Sequence, residues 1–426
     1  MERTLPDSIT ILDNRSGESI EIPIVDGGVD SGPWTKFLPG LWFKDEGFAA
    51  TAVTNSAITY IDGGAGQLEH RGYPIETLVE NSTFLEVAYL LLNGDLPTQS
   101  EFKHWNDAIG SHAALNPEQN SKLLQVFETT SHPMSMLTSG IAALSANYPD
   151  AKDVEDPDVR HDHIVNLIAK IPAIASTAAA YRAGRISPEI NDEMSYTENF
   201  LSMAFGSLSN PYQPNPVFTK ALEQLFILHA DHEQNCSTTA VRVVGSAHAD
   251  PYSAIAAGSA ALSGPRHGGA NERVINMLDS IGSLDNVDSF VESVKNGDGL
   301  LWGFGHRVYK NYDPRALIIK DTAHQIFEIT GKNQQLDIAL KLEEKALADD
   351  YFISRKLYPN VDFYSGLIYQ AMGFPVDMFT VLFAIARTSG WLAHWNEMIE
   401  RKTRIARPRQ LYVGSETREF ILPDDR

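Results

Sequence analysis

The sequence predicts a mainly α-helical protein with a small β-rich segment at its N-terminus. Helical periodicity of the apolar residues dominates from Pro74 onward, whereas the first sixty residues alternate apolar and polar side chains. Of the 426 residues, 43% are hydrophobic and 21% are charged, which is typical of globular chains rather than disordered ones. A chain of this length is expected to form two or three domain-sized units.

The β-rich segment is predicted over residues 1–60. Five isoleucines between Ile9 and Ile24 alternate with polar residues on both sides of Asn14–Gly17, which is the pattern of a β-hairpin. Thr51–Ile61 is also rich in β-forming residues, and the Asp62–Gly64 sequence predicts a turn after it.

Capping signals mark several helices in the rest of the chain. Thr83 and Glu86 form a capping box before the apolar run 87–92, and Gly94 predicts the end of that helix. Asn215 followed by Pro216 is the pattern of an N-cap and a first helical residue.

Two glycine-containing breaks, Gly264–Gly269 and Gly373–Pro375, divide the helical part. We expect residues 268–373 to form a small helical domain inserted into a large helical domain made of residues 61–267 and 374–426. An inserted domain leaves a cleft beside its host, and clefts are where ligands bind.

Charge and cysteine content exclude some classes of function. The formal net charge of −21 argues against a nucleic-acid partner, which needs Lys and Arg to displace counterions. A single cysteine, Cys236, cannot form an internal disulfide, so a cytoplasmic location is expected. Residues 1–11 lack the apolar run of a signal peptide, and the most apolar stretches, 254–262 and 379–386, are shorter than the ~20 residues of a membrane span. No membrane partner is expected.

Three groups of histidines are candidates for chemistry. His229 and His232 lie three residues apart at the end of the helix predicted after Pro216, where both would share its inward face. They are either hydrogen-bonded core residues or metal ligands, but the H-x-x-H-E spacing fits neither common zinc pattern, and no metal is expected. His267 and His306 are each flanked by glycines, which let a ligand approach the backbone closely.

Asp362 and three arginines complete the candidates. Asp362 precedes an apolar helical run, where the usual role of an aspartate is to cap the helix. Arg387 interrupts an apolar helix face, and a buried guanidinium needs either an internal carboxylate or an anionic ligand. With Arg315 and Arg407 it could bind a dicarboxylate through bidentate hydrogen bonds.

Six segments in order along the chain together resemble the citrate synthase family. They are HADHEQN at 229–235, GPRHGGANE at 264–272, GFGHRVYKNYDPRA at 303–316, KLYPNVDFYSG at 356–366, ARTSGW at 386–391 and ARPRQLY at 406–412. The match runs from about residue 52 to residue 412, and six co-linear motifs are highly specific. The N-terminal β segment and the sequences of the motifs resemble those of the longer bacterial members, which form hexamers built from dimers.

The resemblance implies an acyltransferase that joins acetyl-CoA to oxaloacetate and hydrolyses citryl-CoA to citrate and CoA, at the entry of the tricarboxylic acid cycle. Position by position, the catalytic trio corresponds to His267, His306 and Asp362. The oxaloacetate-binding positions correspond to His232, Arg315, Arg387 and Arg407, the last reaching across from a dimer partner. The CoA-binding positions correspond to Gly303, Phe304, Gly305, Lys310 and Lys356. No cofactor is implied, since acetyl-CoA is a substrate.

Two alternatives to this function stay open at the level of sequence. A 2-methylcitrate synthase would use propionyl-CoA with the same trio, and one methylene gives only about 1–3 kcal/mol of discrimination. A non-catalytic sensor that binds a dicarboxylate is the other alternative, although the presence of every catalytic position argues against it.

One departure from the family concerns regulation by NADH. Lys170 and Tyr148 match positions of the NADH site found in the hexameric type, but Ser111 and Asn166 stand where inhibited members carry arginine. Ser209 stands at a position occupied by cysteine. Without the arginines the phosphates of NADH lose charge-assisted hydrogen bonds, so little inhibition is expected.

Overall fold

The computed structural model describes residues 7–331 and 334–426, except for the side chain of Asp425. It is mainly helical and contains two small antiparallel sheets among these residues. The strands are β1 (Ser8–Leu12), β2 (Ser19–Val25), β3 (Gly28–Val29), β4 (Thr59–Asp62), β5 (Gln67–His70) and β6 (Tyr73–Pro74). The helices are α1 (Ser31–Phe37), α2 (Ile75–Asn81), α3 (Phe84–Asn93), α4 (Gln99–His112), α5 (Pro117–Leu124), α6 (Pro133–Ser145), α7 (Pro157–Arg182), α8 (Tyr196–Phe205), α9 (Pro216–His229), α10 (Cys236–Gly245), α11 (Pro251–Leu262), α12 (Ala270–Ile281), α13 (Val287–Asn296), α14 (Pro314–Thr330), α15 (Gln334–Ala348), α16 (Asp350–Ser354), α17 (Val361–Ala371) and α18 (Phe379–Glu400).

The chain divides into two compact units, one made of residues 56–406 and one that combines the segment before residue 56 with residues 407–426. The predicted boundary at residue 60 lies close to this division. Residues 407–426 were expected in the large helical domain but group with the N-terminal segment instead. They contain no α-helix and lie exposed, so they have no apolar helix face to bury in the helical core. The predicted small domain, 268–373, lies within the larger unit, and its separation stays a prediction.

The smaller unit contains the predicted hairpin. Strands β1 and β2 pair antiparallel with Ile9 opposite Ile22 and Ile11 opposite Ile20, and the tight turn between them places Gly17 at φ 77°. The predicted strand over Thr51–Ile61 is shorter than expected, because only β4 from Thr59 onward finds a partner strand to pair with.

Two long helices form the centre of the larger unit. By length and composition alone, Pro157–Arg182 and Val376–Glu400 could cross a membrane, but 89% of the apolar window of each lies buried inside the protein. In α18 every residue except Asn396 and Glu400 is buried. A helix that is apolar on all sides and covered on all sides is a core helix. Helices α3, α7, α9, α10 and α11 pack against α18.

Local capping signals were confirmed where they were predicted. Thr83 and Glu86 form the capping box of α3, which ends at Gly94 in the left-handed conformation. Asn215 caps α9. The expectation that α9 continues to His232 was wrong. The helix ends at His229 because Asp231 accepts the backbone N–H of Glu233 in a turn and a new helix, α10, begins soon after it.

Candidate active site

Two of the sequence segments are held together by backbone hydrogen bonds. The N–H of Asn360 donates to the carbonyl of Gly303, and the N–H of Gly305 donates to the carbonyl of Tyr358, both at 2.8 Å. The side chain of Asn360 also donates to the carbonyl of Gly305 at 2.8 Å. Gly303 and Gly305 have φ of 80° and 76°, a conformation that favours glycine. The loop that carries His306 therefore lies against the start of α17.

Asp362 occupies the second helical position of α17 and is not its cap. Asn360 is the N-cap, and its side-chain oxygen accepts the backbone N–H of Asp362 at 3.0 Å. The capping role considered for Asp362 was therefore wrong, and its carboxylate is available for other contacts. Its Oδ1 is buried without a hydrogen-bond partner among the described residues. Burial raises the pKa of Asp362 to about 6, although Arg315 opposes the shift.

His306 is fixed in one tautomer by its own loop. Its Nδ1 accepts the backbone N–H of Val308 at 3.0 Å and that of Tyr309 at 3.3 Å. Burial and then the charge of Arg315 lower the pKa of His306 to about 4. The ring is therefore neutral at pH 7, and these bonds assign its proton to Nε2, which becomes a donor.

His267 is held by the start of α10. Its Nε2 lies 2.8 Å from Oγ of Ser237 and 3.3 Å from the backbone nitrogen of the same residue. Since a backbone N–H can only donate, Nε2 accepts and the proton is assigned to Nδ1. Burial, with a contribution from Arg387, lowers the pKa of His267 to about 3, so this ring is also neutral.

Ser237 was not identified from the sequence. Its hydroxyl lies 2.7 Å from the side-chain oxygen of Asn235 and accepts Nε1–H of Trp391 at 3.0 Å. Asn235 is the N-cap of α10. An asparagine followed by Cys-Ser-Thr is an N-cap pattern, so the start of this helix could have been predicted, but its contact with His267 could not.

His232 lies beside His306, whereas His229 lies in the core. The ring centroids of His232 and His306 are 5.2 Å apart, and Nε2 of His232 lies 3.3 Å from the hydroxyl of Tyr309. Burial lowers the pKa of His232 well below its usual value. The Nδ1 of His229 contacts the carbonyl of Leu225 at 2.7 Å, in agreement with the core interpretation of this residue.

Arg315 is paired with an internal carboxylate. Its Nε and Nη2 donate to the two carboxylate oxygens of Asp313 at 3.0 and 2.9 Å, and both residues are buried. Asp313 also accepts the backbone N–H of Val361 at 3.2 Å, next to Asp362. The arginine therefore lies at the site, with Nη1 uncommitted to Asp313.

Arg387 is buried in α18 with no ion pair among the described residues. Its Nε donates to the carbonyl of His229 at 2.6 Å, and its guanidinium lies 4.7 Å from the ring centre of Phe383. Burial lowers the pKa of Arg387 to about 10, with Asp231 opposing the shift, so it remains charged at neutral pH. A buried cation without a carboxylate is a strong indication of an anionic ligand.

No described hydrogen bond joins the side chains of the remaining predicted residues to the side chains of His267, His306 or Asp362. Arg407 belongs to the smaller unit, where it is exposed and donates to the carbonyl of Pro408. Lys310 and Lys356 are exposed, and Nζ of Lys310 donates to the carbonyl of Arg307 at 3.0 Å. The ring of Phe304 is buried against Phe363. Among the residues that the structure describes, no three His, Cys, Asp or Glu side chains are grouped as a metal site would require.

Comparisons with known proteins agree with the motifs. The family described as "Citrate synthase, C-terminal domain" matches residues 47–409. The peroxisomal citrate synthase of Dictyostelium discoideum is 49% identical over 99% of this chain and 88% of its own length. The citrate synthase of Corynebacterium glutamicum is 52% identical over 91% of this chain and 90% of its own length. The solved structure of the Thermoplasma acidophilum citrate synthase, in complex with carboxymethyl coenzyme A and oxaloacetate, superposes with a TM-score of 0.80 at 32% identity, covering 88% of this chain and 98% of that one.

Proposed function

The chain belongs to the citrate synthase family, and we propose which of its residues condense acetyl-CoA with oxaloacetate and assist hydrolysis of citryl-CoA. The enzyme is an acyltransferase in which the transferred acyl group becomes an alkyl group. The observation that carries the residue assignment is one carboxylate, Asp362, with a buried unpartnered oxygen, in a site that also holds two imidazoles kept neutral, His267 and His306.

Asp362 acts as the general base in this proposal. The methyl proton of a thioester is far less acidic than a carboxylic acid, so the carboxylate removes it only if the enolate oxygen is stabilised as it forms. A pKa of about 6 leaves Asp362 ionised at pH 7 yet more basic than an ordinary aspartate. Nδ1–H of His267 donates to the thioester oxygen, because Ser237 occupies Nε2.

His306 activates the second substrate. Its Nε2–H donates to the keto oxygen of oxaloacetate and polarises the carbonyl that the enolate attacks. A neutral imidazole serves as donor here because its other nitrogen already accepts two backbone N–H groups. Nothing in this step requires the ring to change charge before the carbon–carbon bond forms.

The carboxylates of oxaloacetate bind Arg387, Arg315 and His232. Arg387 supplies the fork that no carboxylate of the described residues occupies, and Arg315 contributes the side of its guanidinium that faces away from Asp313. Arg407 completes this set from a partner subunit. The loop that contains Gly303, Phe304, Gly305 and Lys310, together with Lys356, receives CoA.

We propose that catalysis needs no metal. Prolonged dialysis against a strong chelator is expected to leave the rate unchanged, because Nδ1 of His229 contacts the carbonyl of Leu225 and Nε2 of His232 contacts the hydroxyl of Tyr309. Loss of activity that zinc restores would contradict this.

The experiment that tests the function is release of free CoA thiol on mixing oxaloacetate with either acetyl-CoA or propionyl-CoA. Acetyl-CoA is expected to give the higher kcat/KM. A higher kcat/KM with propionyl-CoA would assign the chain to 2-methylcitrate synthesis. No thiol release with either substrate would support a non-catalytic sensor that binds a dicarboxylate.

Self-association is also part of the proposal. Helices α6, α10 and α11 pack side by side, and their outward positions carry small residues that allow close approach of another helix layer. These positions are Ser135, Ser139, Ala142 and Ala143 in α6, Cys236, Thr239, Ala240 and Val243 in α10, and Ser253, Ala257, Ala260 and Ala261 in α11. We expect a dimer that assembles further into a hexamer, and a native mass measurement distinguishes the hexamer from a dimer or a monomer.

The compartment stays a prediction. The single cysteine favours the cytoplasm, but one close relative is named as a peroxisomal protein. Localisation of the tagged full-length chain would decide it.

A further inference from the structure

The turn between β4 and β5, residues 62–66, lies directly against the loop that carries His306. The carbonyl of Gly63 accepts the backbone N–H of Lys310 at 2.7 Å. A Cβ at position 63 would lie 2.2 Å from the carbonyl oxygen of Val308 and 3.2 Å from the nitrogen of Tyr309. Both of these are backbone atoms, which cannot rotate away as a side chain could. We call this turn the clasp.

The peptide group that Gly63 contacts is one that fixes His306. The carbonyl of Val308 and the N–H of Tyr309 belong to the same planar unit, so displacing one displaces the other. That N–H donates to Nδ1 of His306 at 3.3 Å, and the N–H of Val308 donates to the same atom at 3.0 Å. A shift of this peptide therefore changes the direction in which Nε2–H of His306 points.

The clasp is itself a rigid turn. Oδ1 of Asp62 accepts the backbone N–H groups of Gly64 and Ala65 at 2.8 and 2.9 Å, and the carbonyl of Asp62 accepts the N–H of Gly66 at 2.8 Å. Gly66 has φ of 71°, and a Cβ there would lie 2.8 Å from the carbonyl oxygen of Tyr312. The clasp thus contacts the loop at both ends of residues 308–312.

We propose that Gly63 is a positioning residue for His306, which holds the 308–309 peptide where it aims Nε2–H at the keto oxygen of oxaloacetate. The inference rests on the proposed role of His306. Gly63 lies outside all six segments that resemble the family, and its importance follows from the contact alone.

Gly63→Ala and Gly64→Ala form a matched pair for the test. Neither glycine has a left-handed φ, and the nearest atom to a Cβ at position 64 is Oδ1 of Asp62 at 3.3 Å, within the clasp itself. Gly63→Ala is expected to lower kcat about tenfold to a hundredfold, because a misplacement of about 1 Å has effects of that size. The KM for oxaloacetate should change by less than about threefold, since Arg387 still binds its carboxylates. Gly64→Ala should stay within about twofold of wild type.

A spectroscopic readout separates positioning from general damage. In oxaloacetate labelled with ¹³C at the keto carbon, the resonance of the bound ketone should move back toward its position in free oxaloacetate in Gly63→Ala but not in Gly64→Ala. A wild-type resonance or a wild-type kcat in Gly63→Ala would overturn the proposal, as would an equal loss of kcat in Gly64→Ala.

A second pair of variants covers the case in which Gly63→Ala does not fold. Asp62→Ala removes two hydrogen bonds from the clasp without adding bulk, and Asp62→Asn retains the acceptor. The proposal expects a loss of kcat in Asp62→Ala that Asp62→Asn rescues, and equal activity of the two would overturn it. His306→Ala serves as the reference: if that variant keeps its activity, the proposed function of His306 is wrong, whatever the clasp variants do.

Discussion

Two buried cations, Arg387 in α18 and Lys170 in α7, have opposite surroundings. Nζ of Lys170 donates to the backbone carbonyls of His112 and Ala114 at 2.7 and 2.6 Å, so the chain itself satisfies this charge. Arg387 places one donor on the carbonyl of His229 and forms no ion pair among the described residues. Both cations are buried, so burial alone does not indicate a ligand. The indication comes from the N–H donors of Arg387 that have no partner among the described residues.

The same contrast separates two aspartates of the active site. Asp313 accepts hydrogen bonds from the side chain and backbone of Arg315 and from the backbone of Val361. Asp362 retains an oxygen without a partner in the described part of the chain and has a raised pKa. Both carboxylate oxygens of Asp313 accept hydrogen bonds, whereas a general base needs a free lone pair. The contrast can be tested residue by residue.

The largest effect is expected from Asp362→Asn. An amide is no base, so kcat should fall about a thousandfold, within the range that general base catalysis contributes. Binding of oxaloacetate, measured by calorimetry, should be retained. Asp288→Asn, at an exposed acid in the first turn of α13, is the matched control. Activity of Asp362→Asn within threefold of wild type would remove Asp362 from the mechanism.

The same variant should change stability in the opposite direction. Because folding raises the pKa of Asp362 from 3.8 to about 6, the ionised carboxylate disfavours the folded state at pH 7 by up to about 3 kcal/mol. Asp362→Asn should therefore unfold at a higher denaturant concentration than wild type at pH 7. The difference should shrink as the pH falls below about 6 and vanish below about pH 3, where the acid is protonated in both states.

Arg387→Lys is expected to have the next largest effect. Lysine keeps the charge but loses the bidentate fork, and one charge-assisted hydrogen bond contributes about 1.5–3 kcal/mol, which corresponds to roughly tenfold to a hundredfold in the Kd of oxaloacetate. Arg185→Lys is the control, since both Nη atoms of Arg185 donate to backbone carbonyls. An unchanged Kd would mean that the open donors of Arg387 do not bind the substrate.

The pH dependence of the rate tests the raised pKa directly. Since Asp362 must be ionised, kcat/KM should fall about tenfold for each pH unit below about 6. His306 and His267, with pKa values of about 4 and about 3, stay neutral down to pH 5, so one proton should account for the slope. A steeper slope, or a midpoint near 4, would contradict the assignment.

Local signals in the sequence predicted local structure well. The hairpin of β1 and β2, the capping box at Thr83 and the N-cap at Asn215 each depend on residues within one turn. The cap of α17 shows the limit of such signals. Asn360 and Asp362 are both good caps, and the choice of Asn360 depends on the extended backbone that Gly303 imposes through its hydrogen bond.

The chemistry of the site depended on contacts that no local signal contains. Resemblance to the family identified His267, His306 and Asp362, but Ser237 and Gly63 emerged only from contacts between distant parts of the chain. The pairing of Arg315 was a partial exception. An aspartate two residues before an arginine at the start of a helix can reach it, and the Asp313-Pro-Arg sequence contained that information.

The surroundings of Lys170 lead to the smallest expected effect, which concerns NADH. The amide of Asn166 donates to the hydroxyl of Tyr252 at 2.6 Å, and Tyr148 stacks on the same tyrosine. A nearby cavity of about 370 Å³ has Ser111 in its lining and includes Asp107 and Asp192 but no lysine or arginine among its described lining residues. A carboxylate at this position repels phosphate rather than binding it.

Losing two charge-assisted hydrogen bonds should weaken NADH binding about a hundredfold or more. In a titration at low acetyl-CoA and low salt, NADH should therefore lower the rate less than about twofold at concentrations that saturate a sensitive enzyme. Ser111→Arg restores one cation at an exposed position and should tighten inhibition by about tenfold, whereas Ser111→Gln should not. Strong sigmoidal inhibition of the wild-type protein at micromolar NADH would show that another set of basic residues binds it. Arg182 and Arg185 are poor candidates for that set, because Asp377 and the backbone carbonyls of Ala204 and Gly206 already occupy their Nη donors.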